Sequence, residues 1–283
     1  MILSFHPCIT ADHQIILGHR QPDSHDEPFI ARSELIILPQ TCSEKLFKMC
    51  AKSKAAIFPD YTVRFDFPGK TGQHILFKKN NLPQPVTHIW DSVTHYISAC
   101  ETQIPHKFPF LFKEDMSHES DGVHIINNRH DIDESLKRIE KKSNFKGARF
   151  ISQEFIKSDG NTLRVVIMND RYIPYWKRVE DQGQKLSSLK RGARVDKDWK
   201  PEMQKKGIEM AQELSLKTGI NLAAVDFIFP LDQVNPEPFF LEINYYFGRK
   251  GLGGIIKYYN LLFRTIIRWM EKNGFDPQKV KLV

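Results

Sequence analysis

Two short apolar runs, AAVDFIFP at residues 223–230 and FFLEINYYFG at 239–248, each carry oxygen-bearing side chains. Asp226 sits in the first. Glu242 and Asn244 sit in the second, two residues apart, so they project from the same side of a strand. A carboxylate among Val, Phe, Ile and Leu is costly to bury without a partner. Two acids and an amide oxygen on neighbouring strands suit Mg²⁺, a hard cation whose oxygen ligands commonly include nucleotide phosphates. A hairpin with one solvated polar face shows the same alternation, and these residues alone do not choose between the two.

Other residues add to the chemistry. Lys113 lies in FPFLFKE (108–114), where an ammonium needs a partner. The polar run DMSHESDG (115–122) follows and could cover a phosphate, with Lys113 as the point charge beneath it; an edge-strand lysine that snorkels to water is the plainer alternative. In SQEFI (152–156) the backbone could meet an adenine edge while Phe155 and Ile156 pack around the ring. Arg164, Lys177, Arg178, Lys190, Arg191 and Arg194 form a basic series. A planar guanidinium in it suits bidentate carboxylate or phosphate; an exposed basic loop would look alike. Gly248, Gly251, Gly253 and Gly254 cluster after the acidic strand. They permit close backbone approach, and a helix from about Ile255 would aim its amides at an anion. A plain strand-to-helix connection explains one or two glycines more easily than four.

The elements that must hold these residues are legible from periodicity and breakers. Short apolar runs at 2–5, 15–17, 35–38 and 55–58, with a helix over 46–51, predict a small α/β layer. The breakers Phe58-Pro59-Asp60 and Phe67-Pro68-Gly69-Lys70 place a boundary near residue 70. A helix is expected over 71–82, another from Asp91 to about Thr102, strands over 108–114 and 123–127, a helix from Asp131 and a strand over 148–156. Leu163–Met168 and Tyr172–Lys177 flank Asn169-Asp170, a hairpin turn. Residues 180–200 read as a polar loop. Pro201 opens a helix that Gly219 closes after Thr218, and a basic amphipathic helix spans Ile255–Lys272.

Bulk properties narrow the class. The 283 residues are 41% hydrophobic and 27% charged, ordinary for a soluble globular protein. No apolar run approaches the roughly 18 residues of a membrane span. The N-terminus has no basic start followed by an apolar stretch, so no secretory signal is expected. Four scattered cysteines predict reduced thiols and a cytoplasmic location. No GxGxxG supports a dinucleotide site. All eleven histidines lie at or before His130, at spacings that do not suit a metal loop. Residues 1–140 hold 15 Lys and Arg against 18 Asp and Glu, whereas 141–283 hold 26 against 16. A basic C-terminal half implies an anionic partner. Its cations are not interleaved with aromatics for base stacking, which argues against nucleic acid.

Taken in order, Lys113 on its strand, the loop, SQEFI, TLRVVIMNDRYIPYWKR, SSLKRGA, AAVDFIFP and FFLEINYYFG resemble the ATP-grasp superfamily. The branch is that of glutathione synthetases and ribosomal-protein glutamate ligases, and the resemblance covers about 70–260. It implies an α/β fold with an α+β ATP-grasp core. A small N-terminal α/β domain (1–70) would precede an ATP-grasp domain (71–283), whose two subdomains (71–156 and 157–283) clamp ATP. It further implies that Lys113 contacts the α- and β-phosphates and that Lys78 or Lys79 falls near a second phosphate-reaching lysine. Gln153, Glu154, Phe155 and Ile156 would form the adenine hinge, and Gly122 is the retained glycine of the phosphate loop. Asp226, Glu242 and Asn244 would bind Mg²⁺, with Mn²⁺ as the alternative. Arg164 would be the catalytic arginine of the family's D-I-R element, and Arg178 and Arg191 would serve the acyl substrate and its phosphorylated form.

The chain departs from the family pattern at the glycine-poor 115–122 loop and at Thr162, Ser188 and Ala193. It departs again at Tyr245-Tyr246-Phe247, where a small residue and proline are usual.

The resemblance implies an ATP-dependent carboxylate–amine (or thiol) ligase working through an acylphosphate on an acidic amino-acid or peptide-like substrate. The alternatives are an ATP-grasp phosphotransferase and a non-catalytic nucleotide-sensing or nucleic-acid-binding module. ATP and small carboxylate and amine substrates are the expected partners, with no membrane; homodimerisation is left open.

Overall fold

The computed structural model describes residues 1–117, 122–142, 149–179 and 192–283. The N-terminal segment folds as β1 (Ile2–Ser4), β2 (Ile9–Thr10), β3 (His13–Gln14), α1 (Glu27–Ala31), β4 (Leu35–Ile37), α2 (Glu44–Ala51) and β5 (Ala56–Phe58). A parallel sheet runs β3-β1-β4-β5. Strands β1 and β4 are buried on both faces, which is why they read as unbroken apolar runs. Ser43 caps α2 by accepting the Leu46 N–H at 3.2 Å. The run 15–17 is not a strand: Ile15 donates its N–H to the Ser4 carbonyl, but Ile16 is 60% exposed and no further ladder forms.

After α3 (Thr62–Asp66) and α4 (Gly69–Lys79) come β6 (Thr87–Trp90), α5 (Val93–Ala99), β7 (Phe110–Glu114), β8 (Val123–Ile126), α6 (Arg129–Lys142) and β9 (Phe150–Glu154). These strands form an antiparallel sheet in the order β6-β9-β7-β8. One face packs Trp90, Phe110, Phe112 and Phe150 against Tyr96, Ile132 and Leu136 of α5 and α6. By alternation the other face presents Leu111, Lys113, Ile151 and Gln153. The helix boundaries differ from expectation where local hydrogen bonds decide them. Ser92 rather than Asp91 caps α5, and α6 begins two residues before Asp131, whose carboxylate accepts from the Asn127 N–H.

The third sheet contains β10 (Thr162–Met168), β11 (Arg171–Arg178), β12 (Arg194–Asp196), β13 (Leu222–Ile228) and β14 (Phe239–Asn244). Its order is β12-β11-β10-β13-β14, antiparallel throughout. Asn169 turns the β10–β11 hairpin at φ 55°. Two helices cover the sheet: α7 (Pro201–Thr218), opened by its proline and closed by Gly219 at φ 76°, and α8 (Ile255–Lys272). One face places Leu163, Val165, Val225 and Phe227 against Ala211 and Leu214 of α7. That core is continuous with Leu3, Phe5, Ile36 and Leu38 of the N-terminal sheet. The opposite face packs Val166, Met168 and Ala224 on Tyr258, Leu262 and Ile266 of α8. The last strand, β15 (Lys281–Leu282), pairs with β2.

Helix α4 ties the second and third sheets together. The Gln73 amide accepts from the Ile243 N–H and donates to the Ile243 carbonyl, both at 2.8 Å. At its first turn the Lys70 N–H bonds the Asp115 carbonyl and the Thr71 N–H bonds the Asp115 carboxylate. Among the described residues no helix is long and apolar enough to cross a membrane.

Candidate active site

Cross-strand register places Tyr175, Arg164, Asp226 and Glu242 in one row across β11, β10, β13 and β14. Adjacent strands lie about 4.8 Å apart, so these side chains share a surface. Asp226 is 2% exposed. Arg164 grips it with a fork, Nε on Oδ1 and Nη2 on Oδ2, each at 2.7 Å. Lys177 Nζ donates to Oδ2 at 2.9 Å and Asn244 Nδ2 reaches it at 3.3 Å. Burial alone would raise the Asp226 carboxyl; the charges of Arg164 and Lys177 override it and hold the group down at about 2. Between Asp226 and Phe227 the register slips by one residue, leaving Leu241 without a cross-strand partner. Such a bulge re-aims the neighbouring side chain, here Glu242.

A narrow crevice between the second sheet and β14 is lined by Lys70, Gln73, Phe77, Lys113 and Gln153 together with Phe240 and Leu241, the residues just before Glu242. Lys113 is 7% exposed and donates to Gln153 Oε1 at 2.5 Å; Gln153 Nε2 in turn donates to Thr87 Oγ1. Burial drives the Lys113 ammonium down to about 8, with Lys70 adding to the effect and Glu242 opposing it. Lys70 Nζ donates to the Glu114 carbonyl and to the carbonyl and hydroxyl of Ser117. Burial lowers it too, against the pull of Glu242, Asp115 and Glu114.

Glu242 itself makes no hydrogen bond or ion pair among the described residues, yet its charge acts on Lys70, Lys113, Arg164 and Lys177. Four cations therefore converge on two carboxylates. Glu114 and Asp115 also act on Lys70, and ammonium and guanidinium donors gathered in this way suit the oxygens of a polyphosphate.

The donor set bears on a metal. Among the described residues no three His, Cys, Asp or Glu side chains cluster. Glu242 and Asn244 are nevertheless hard oxygen donors on one strand face, and the Glu242 carboxylate is unpaired among the described residues, which fits Mg²⁺. Asp226 differs from them. Both its oxygens are occupied by cations, so in this state it anchors Arg164 and Lys177.

The other expected site residues divide. Arg178 follows strand alternation to the face opposite Lys177: Nη1 pairs with Asp196 at 3.0 Å and its guanidinium lies 4.5 Å from the Trp199 ring centroid. It does not join the Asp226 row. Lys78 and Lys79 are exposed at the far end of α4, roughly 13 Å along the helix from Lys70, and are not brought to the crevice. Gln153 uses its side chain on Lys113, and Glu154 is exposed with its N–H on the Val86 carbonyl. Phe155 and Ile156 lie in the connection from β9 to β10. Gly122, at φ 75°, ends the β7–β8 connection, where a Cβ would meet Ser117 and Glu114. Arg191 lies outside the described residues. Tyr245 and Phe247 point into the core, and Tyr246 stands exposed.

Two site lysines had no assigned role: Lys177 stood only in a basic series, and Lys70 was not singled out. Lys177 shares parity with Tyr175 on β11, the same alternation that marks Glu242 and Asn244. Lys70 was hidden in a breaker run, Phe67-Pro68-Gly69, that proves to be the start of α4.

The row, the crevice and the sheet order define an ATP-grasp fold. The RimK-like ATP-grasp domain matches residues 69–262, and the chain belongs to that family. A RimK-domain ATP-grasp protein from Sphaerobacter thermophilus superposes with TM-score 0.57 at 10% identity, covering 81% of this chain and 80% of that one. An N5-carboxyaminoimidazole ribonucleotide synthetase in complex with ADP gives TM-score 0.58 at 13% identity; the alignment covers 85% of this chain but about 60% of that enzyme's length. The VanG D-Ala:D-Ser ligase from Enterococcus faecalis gives 0.59 at 15% identity, covering 82% and 72%. No curated protein matches the chain in sequence.

Proposed function

We propose that the chain is an ATP-dependent carboxylate–amine ligase acting through an acylphosphate on an acidic amino-acid or peptide-like substrate. The observation that carries this reading is the convergence of Lys70, Lys113, Arg164 and Lys177 on Glu242, with Asp226 holding the last two. A carboxylate is a poor electrophile at neutral pH. Its oxygen attacks the γ-phosphorus of ATP and ADP leaves. The amine then attacks the acyl carbon, phosphate leaves and the amide loses a proton. Both steps need positioning and charge neutralisation more than covalent participation by the protein.

Lys70 and Lys113 approach the phosphates from the second-sheet side, while Arg164 and Lys177 face them from the third sheet, oriented by Asp226. Glu242 and Asn244 would hold Mg²⁺, or Mn²⁺, which when bound neutralises phosphate oxygens. The connection through Phe155 and Ile156 would serve the adenine. The net positive C-terminal half favours an acidic substrate.

The test is release of ADP and phosphate in the presence of a panel of acids and amines. Turnover should require Mg²⁺, an acid and an amine together, and Glu242→Gln should reduce it to background. A phosphorylated acid that accumulates without amide would assign a phosphotransferase instead. Tight nucleotide binding with no turnover across the panel would overturn the enzymatic reading.

A further inference from the structure

The chain leaving β14 after Asn244 builds a second concave surface. The next residue of the same parity, Tyr246, is 64% exposed. It opens a cavity of about 350 Å³ whose wall includes Phe247, Gly248, Arg249, Lys250 and Ile255. Arg249 is unusual in how it is held. Its guanidinium lies 4.9 Å from the Tyr258 ring centroid and 5.1 Å from that of Tyr259. Nη2 donates to the Tyr259 hydroxyl at 3.2 Å. Its Nε is buried and makes no hydrogen bond among the described residues, and the group has no ion pair among them. Lys250, on the same wall, is exposed. From Ile243 to Met270 the sequence contains no aspartate or glutamate.

Stacking on tyrosines can by itself settle an arginine. It does not account for a second cation on the same wall, or for the want of any carboxylate over 28 consecutive residues. A guanidinium with its plane already fixed has prepaid the ordering that binding costs, and its fork matches the paired oxygens of a carboxylate or phosphate.

We propose that the cavity at Tyr246, Arg249 and Lys250 is the subsite for an anionic group, carboxylate or phosphate, on the non-nucleotide substrate. The inference rests on the ligase reading and deepens it, since it states what the substrate must carry beyond the carboxylate that is activated. The location fits that role. The nucleotide crevice has its own four cations, and the cavity lies at the exit of β14, five residues past Asn244.

The test uses the full chain saturated with MgADP, titrated separately with inorganic phosphate and with glutarate and followed by ligand-observed NMR. At least one probe should bind wild type, and the tighter one identifies the chemistry. Arg249→Gln should weaken that probe on the order of tenfold, the loss expected for charge-assisted hydrogen bonds. Lys250→Gln, an exposed change that leaves folding intact, should weaken it by about threefold, the smaller effect of an exposed charge. MgADP affinity should be unchanged in both variants. Failure of both probes to bind overturns the proposal, as does equal binding to wild type and Arg249→Gln. Should Arg249→Gln not fold, Lys250→Gln decides, and unchanged probe affinity in it overturns the proposal. If wild type does not bind MgADP, the ligase reading fails instead.

Discussion

Asp226 and Glu242 face each other across one strand pair and have opposite dependencies. Asp226 compensates two buried cations, whereas Glu242 is unpaired among the described residues. Asp226→Asn leaves Arg164 and Lys177 buried without a counter-charge, and urea denaturation should show a loss of about 3–5 kcal/mol. Glu242→Gln should cost less than half of that while Mg²⁺-dependent ADP release still falls to background. Equal destabilisation by both would contradict the division of labour.

Lys113 gives a second test at this scale. Its folded-state ammonium titrates near 8 against an ordinary value of 10.5. Between those pH values the unfolded chain binds more protons than the folded one, so this group makes the free protein more stable as pH rises. Phosphate binding needs the charged form, so MgADP affinity should hold up to pH 8 and fall above it, by up to about tenfold per pH unit. In Lys113→Met the fall should largely disappear. The residues hardest to read in sequence were the two other lysines. Lys177 stood only within a basic series and Arg178 took its role from the family resemblance, whereas strand parity sends Lys177 to Asp226 and Arg178 to Trp199.

Elements with strong end signals were legible to the residue. Proline at the first turn and glycine after the last delimit α7 as expected, and amphipathic periodicity fixes α8. The β10–β11 hairpin follows from Asn169-Asp170. The slip at Leu241 was not legible, because a bulge leaves no mark in an apolar run, yet it sets where Glu242 points. The contact between α7 and β10 was equally silent. Gly207 lies against the sheet so closely that a Cβ would stand 2.4 Å from Leu163 Cδ2. Alanine is the better helix former by about 1 kcal/mol, but overpacking here should win. Gly207→Ala is expected to lower stability by about 1–3 kcal/mol in a denaturant titration; a gain would show that α7 can shift outward.

At the scale of the molecule, the N-terminal sheet and the third sheet share one core. Leu3, Phe5, Ile36 and Leu38 are packed in the same cluster as Val165 and Val225. A fragment of residues 71–283 is therefore expected to expose that face, with strong dye binding and no cooperative thermal transition; a sharp transition would mean that the third sheet closes on its own. The sequence suggested a boundary near 70 from breakers, which mark where the backbone turns but carry no information about which apolar faces meet. The bond between Gln73 and Ile243 has a last consequence, one that concerns other molecules. Strand β14 is the outermost strand of its sheet, and an outermost strand offers its free amides and carbonyls to any passing strand. The Gln73 side chain occupies both main-chain groups of Ile243, and the Pro83 carbonyl takes the Phe240 N–H, so the edge beside Glu242 is closed. Gln73→Leu should keep the helix and unblock the edge, and light scattering at high protein concentration should then report strand-to-strand assembly that the wild type resists.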